Sequence, residues 1–69
     1  MIPFKNISKE DKSFLDCHGI NSDEYLNKDV NELLNVVDEL AISGLDDNDE
    51  ATELYYQAQT VYNNLYSNN

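Results

Sequence analysis

Apolar residues recur along this chain at helical rather than strand spacing, most clearly in its second half. Val30, Leu33, Leu34, Val37, Leu40 and Ala41 fall within an arc of about 120° at 3.6 residues per turn. A narrower stripe follows at Ala51, Leu54, Ala58, Val61 and Leu65, with Tyr55, Tyr62 and Tyr66 along one edge. A weaker pattern comes first, where Ile7, Phe14 and His18 share one side of a segment and Leu15 flanks them. No strand-like alternation competes with these stripes.

The residues between the stripes supply start and stop signals. Ser8 is suited to N-cap a helix over 9–18, Glu10 and Asp11 suit its positive first turn, and Gly19 ends it. Ile20, just past that glycine, can fold back on Leu15 as in a Schellman ending. Ser22, Asp23 and Glu24 open a second stretch, and Asp29 with Glu32 has capping-box spacing. The spacing therefore predicts helix over 23–43, either continuous or broken near 28. Gly44 closes it, with Leu45 returning onto Leu40 by the same device. A third helix is predicted over 48–66, started by Asp47 with Glu50 or by Asn48 alone. Residues 1–7 read as a flexible lead-in and residues 66–69 as a frayed end. Helices joined by so few residues pack antiparallel. The expected fold is all-α: one domain over 1–69, a small three-helix bundle built around an antiparallel αα-hairpin.

Size constrains this picture. A chain of 69 residues buries only about 60% of its unfolded surface, which makes its stability marginal. The single cysteine, Cys17, excludes an intrachain disulfide, and no Cys/His cluster offers a structural zinc. Good caps, aromatic packing or self-association must compensate. The opening residues lack the apolar core of a signal peptide, and no run reaches the roughly 20 apolar residues of a membrane span. A cytoplasmic protein is the expectation.

Charge changes the picture more. The formal net charge is −10. From Asp29 to Asn69 there are nine carboxylates and no Lys or Arg, whereas residues 1–28 hold four Lys and five Asp/Glu. Such a field repels nucleic acid and anionic membrane and attracts basic surfaces. Asp38, Glu39, Asp46, Asp47, Asp49, Glu50 and Glu53 form the candidate partner-binding patch. Tyr56, about 200° from Leu54 and so outside the core arc, is its candidate aromatic contact. The plain alternative is a solvated surface that keeps a small domain in solution.

Other chemistry is less well supported. Counted from Asp46, an EF-hand loop would need Gly at its sixth position and Glu at its twelfth; this chain has Ala51 and Gln57 there. Helix capping accounts for the same residues. Cys17 and His18 are neighbours, so on a helix they point about 100° apart and cannot act as a nucleophile–base pair. Cys17 reads as half-buried packing, and His18 as a partner for its helix C-terminus. Neither catalytic machinery nor a metal or cofactor site is expected.

Three functions follow from these features. The first is an acidic module that docks a basic protein, with a nucleic-acid-mimicking inhibitor as its sharpest form. By size and charge alone the chain is similar to small acidic helical inhibitors of phage or mobile-element type, a likeness that no motif carries. The second is a structural or self-assembling domain, a homodimer joined through Tyr55, Tyr62 and Tyr66, whose charge serves solubility. The third is an immunity or antitoxin protein, which differs from the first only in its target.

Overall fold

The computed structural model describes residues 2–69. Its regular elements are α1 (Lys9–Cys17), a 3-10 turn (Ser22–Tyr25), α2 (Val30–Ser43) and α3 (Glu53–Asn68). Helices α2 and α3 form the antiparallel hairpin, and their packing dominates the fold. From α2, Val30, Leu33, Leu34, Val37 and Ala41 are buried, and from α3, Ala58, Val61 and Leu65. The α2 arc is the predicted one, with Leu40 half-buried at its edge, whereas the α3 stripe is realised only from Ala58 on: Leu54 is half-buried, and Ala51 lies before the helix, which starts at Glu53. Leu15 of α1 closes the core, and Ile7, Phe14, Ile20 and Tyr25 pack around it.

Helix α1 begins and ends as its sequence indicates. The Ser8 hydroxyl accepts the Asp11 backbone N–H at 3.1 Å. At the far end Ile20 N–H donates to Leu15 O at 2.9 Å and Gly19 N–H to Asp16 O at 3.2 Å, with Gly19 at φ +78°. This is the Schellman pattern, and the left-handed φ is what calls for glycine. Gly44 ends α2 for a different reason. Its φ is −83°, which any residue adopts, but a Cβ there would lie 2.6 Å from the Tyr55 backbone nitrogen. The glycine lets the start of α3 pass close to the end of α2.

The structure departs from the sequence reading at both chain ends. Of the two alternatives for 23–43 the broken one is realised, with Leu26–Lys28 between the 3-10 turn and the Asp29 cap, and Asn27 at φ 65°. That break exposes backbone groups that need partners, and the segment read as a flexible lead-in supplies them. Val30 N–H donates to Ile2 O at 2.7 Å, Phe4 N–H to Lys28 O at 2.8 Å, and Asn27 N–H to Phe4 O at 2.9 Å. Phe4 is 0% exposed, so residues 2–4 are a strap carrying a core side chain; Met1 lies outside the described residues. The end read as frayed is helical to Asn68. The Asn69 side chain accepts the Lys5 and Asn6 N–H groups, each at 3.0 Å, and donates to Asn6 O at 3.0 Å and Leu65 O at 2.8 Å.

Candidate functional site

The acidic connector between α2 and α3 is an ordered turn. Asp46 Oδ1 accepts the N–H of Asn48 at 2.8 Å and of Glu50 at 2.9 Å. The Asp46 backbone N–H donates to Glu50 O at 3.0 Å, and Asp49 N–H to Asp46 O at 2.9 Å. Asp49 stands at φ 60°, a conformation Asp tolerates better than most residues. This is an Asx-type turn, in which a short carboxylate side chain takes the place of backbone acceptors.

That turn explains why α3 begins at Glu53 and not at 48. The N–H groups a helix start would have offered at 48–50 are already taken by Asp46. Neither Asp47 with Glu50 nor Asn48 is the cap. Thr52 is the N-cap residue, and its hydroxyl donates back to Gly44 O instead of accepting from α3. Its backbone N–H joins the same carbonyl at 3.1 Å. The two helices are thereby tied at their junction.

Around this turn Asp47, Asp49 and Glu50 are exposed. Glu53 lies in the first turn of α3, where negative charge is favourable, and accepts from Gln57 Nε2 at 3.1 Å. Tyr56, one turn further on, is 62% exposed and meets Tyr55 edge-on at 5.6 Å. The tip of the hairpin thus gathers Asp46, Asp47, Asp49, Glu50, Glu53 and Tyr56. Asp38 and Glu39 stand apart on α2, roughly 6–8 Å back from its last residue at 1.5 Å per residue. Asp38 lines an open groove of about 270 Å³ with Ala41, Gln59, Tyr62 and Asn63, while Glu39 faces solvent. Among the described residues the one ion pair joins Lys12 to Asp23 at 3.2 Å, so none involves a carboxylate of the tip. That pair is exposed and contributes at most about 1 kcal/mol.

The other candidates are placed as follows. Tyr55 and Tyr62 are half-buried against the core, leaving Tyr66 exposed on that edge. Cys17 is exposed, not half-buried, because Leu15 and not the Cys17 side turns inward. His18 is exposed, and its ring meets that of Phe14 at a tilt, centroids 4.7 Å apart. No group of three His, Cys, Asp or Glu among the described residues is arranged to hold a metal ion. The sequence reading missed Phe4 and the burial of Asp11, whose Oδ2 accepts from Asn64 Nδ2 at 3.3 Å. The latter had a signal: Asp11 lies four residues before Leu15, on the same helix face.

No protein-family model, curated protein sequence or solved structure matches this chain.

Proposed function

We infer that the chain is a small acidic protein-binding module that docks a basic protein surface through the tip of its α2–α3 hairpin. The observation that carries this reading is the uncompensated charge: nine carboxylates and no Lys or Arg from Asp29 onward. Ordinary surfaces mix both signs. A one-sign surface on a turn held by its own hydrogen bonds presents carboxylates with little ordering left to do on binding. Tyr56 beside it offers the amphipathic contact common at protein interfaces. A partner recognised this way is one whose own ligand is polyanionic. An inhibitor that imitates nucleic acid, of phage or mobile-element type, is the form that best fits the charge.

Two arms test the reading, and both use the full chain. Protein captured from source-cell or host lysate is eluted with a salt gradient, in parallel with an Asp46→Asn, Asp47→Asn, Asp49→Asn, Glu50→Gln variant. The amide that replaces the Asp46 carboxylate retains a side-chain oxygen, so charge is removed while the turn acceptor stays. The expected result is a basic, nucleic-acid-binding partner released by moderate salt, lost from the neutral variant, and prevented by the wild-type chain from binding its nucleic acid. Equal retention by the neutral variant would leave the tip as a solubilising surface.

A further inference from the structure

The α2–α3 hairpin has two faces, and α1 covers one of them. There Asn64 donates to Asp11 at 3.3 Å, and Phe14 lines a concavity together with Val61. The opposite face holds the open groove of about 270 Å³ lined by Asp38, Ala41, Gln59, Tyr62 and Asn63, all from α2 and α3. Tyr66, one turn beyond Tyr62, is 69% exposed, and Ile42, one turn beyond Asp38, is 58% exposed. At the other end of the groove the Tyr55 hydroxyl accepts from the Gln59 amide at 2.8 Å. Charge on this face is unlike that of the rest of the molecule. Of the four carboxylates on α2 and α3 (Glu32, Asp38, Glu39 and Glu53), only Asp38 reaches the groove. Glu39 faces solvent, and Glu53 accepts from Gln57 on the α1 side. Few charges and several tyrosines are the composition of a protein–protein contact, here in a chain of net charge −10. A basic partner gains little from this face, because the anions it would seek are at the tip.

We propose that this face pairs with the same face of a second copy, giving a twofold dimer with four helices at its contact. Tyrosine hydroxyls and the amides of Gln59 and Asn63 both donate and accept, so the surface complements itself, as an isologous contact requires. Charge fixes the orientation. Tips set side by side would bring two acidic connectors together, so the copies lie with their tips at opposite ends. Asp38, near the middle of α2, then faces the central part of the other groove, where amide N–H groups can donate to it. A hairpin is about 20 Å wide and 20–24 Å long, so two copies bury on the order of 1,000 Å² in all, the lower end for a specific contact. The dimer is therefore reversible. Two chains of net charge −10 repel, and salt screens that repulsion, so the dimer tightens as salt rises. Capture of a basic protein at the tip has the opposite salt dependence. The dimer does not depend on that docking role, and it leaves a tip free at each end.

The test is sedimentation equilibrium of the full chain, from tens of micromolar to about 1 mM, in salt of about 50 mM and about 500 mM. The expected mass rises with concentration from 7.9 kDa toward twice that, with the lower dissociation constant at the higher salt. Asn63→Asp adds a second carboxylate to the groove at an exposed position and should weaken the dimer about tenfold or more. Tyr66→Ala, also at an exposed position, should weaken it several-fold. Asp38→Asn removes the one charge on the face and should tighten it several-fold, with the mass still stopping at two copies, a gain that partial unfolding would not imitate. A monomer at every concentration in both salts would overturn the proposal. So would a dimer that weakens with salt, or one equally tight in Asn63→Asp, Tyr66→Ala and Asp38→Asn. A chain that stays monomeric and loses capture of a lysate protein in Asn63→Asp would assign the face to a foreign partner instead.

Discussion

Replacing Phe4 with Ala tests whether the amino-terminal strap belongs to the core. Phe4 is 0% exposed, and burying a phenylalanine side chain of roughly 150–200 Å² at about 25 cal/mol per Å² contributes about 4–5 kcal/mol. Large-to-small substitution of a buried Phe costs about 3–5 kcal/mol once the residual cavity is included. The domain as a whole has only about 0.05–0.15 kcal/mol of net stability per residue, or roughly 3–10 kcal/mol over its 69 residues. Phe4→Ala therefore removes about a third of that stability at least, and at the low end all of it. Urea unfolding followed by far-ultraviolet circular dichroism reads this directly. With a slope of about 1 kcal/mol per molar urea, the midpoint falls by about 3 M or the variant is unfolded in buffer. Ile2 lies in the same strap but is 49% exposed, so Ile2→Ala should cost below about 0.5 kcal/mol. Phe4→Leu should stay folded at a cost under about 1.5 kcal/mol. If Phe4→Ala were as mild as Ile2→Ala, the strap would not be part of the core, whatever its backbone pairing.

The two glycines should respond differently to alanine. Gly19→Ala meets open space but a strained φ and should cost about 1 kcal/mol, whereas Gly44→Ala drives a Cβ against the α3 backbone and should cost about 1–3 kcal/mol; a Gly44→Ala unfolding midpoint equal to that of the wild type would refute the close approach. At the connector, Asp46→Ala removes the acceptor for both Asn48 and Glu50 and should cost about 1–2 kcal/mol, while Asp46→Asn should cost less. Faster amide hydrogen exchange at 48 and 50 in the Ala variant alone is the expected signature, and identical exchange in both variants would contradict the turn.

Much of the hairpin was legible because its signals are local and redundant. Along α2 every residue of the predicted apolar arc is buried except half-buried Leu40, and along α3 Ala58, Val61 and Leu65 fill the core. Ser8, Gly19 and Ile20 mark the bounds of α1 through contacts only a few residues apart. The acidic connector was legible as charge but not as geometry. Asp, Asn and Glu there satisfy capping rules in several registers, and the register realised is the one in which Asp46 caps its own turn and Thr52 reaches back to Gly44. The candidate patch separates for a related reason. A list of carboxylates carries no distance, and Asp38 and Glu39 fall on the shaft of α2 while the others collect at its tip.

The sequence by itself determined the helical class, the hairpin and the sign and location of the charge, because apolar period and net charge depend on residue identity and near neighbours alone. Tertiary structure decided the remainder. Phe4 looks like part of a short flexible lead-in until the break at Leu26–Lys28 provides backbone partners far along the chain. Asn69 looks like a loose end until it meets Asn6. Asp11 is a common first-turn carboxylate until α3 packs over it and shields it from water. Each of these depends on a contact between residues distant in sequence, and no local period or cap rule encodes such a contact.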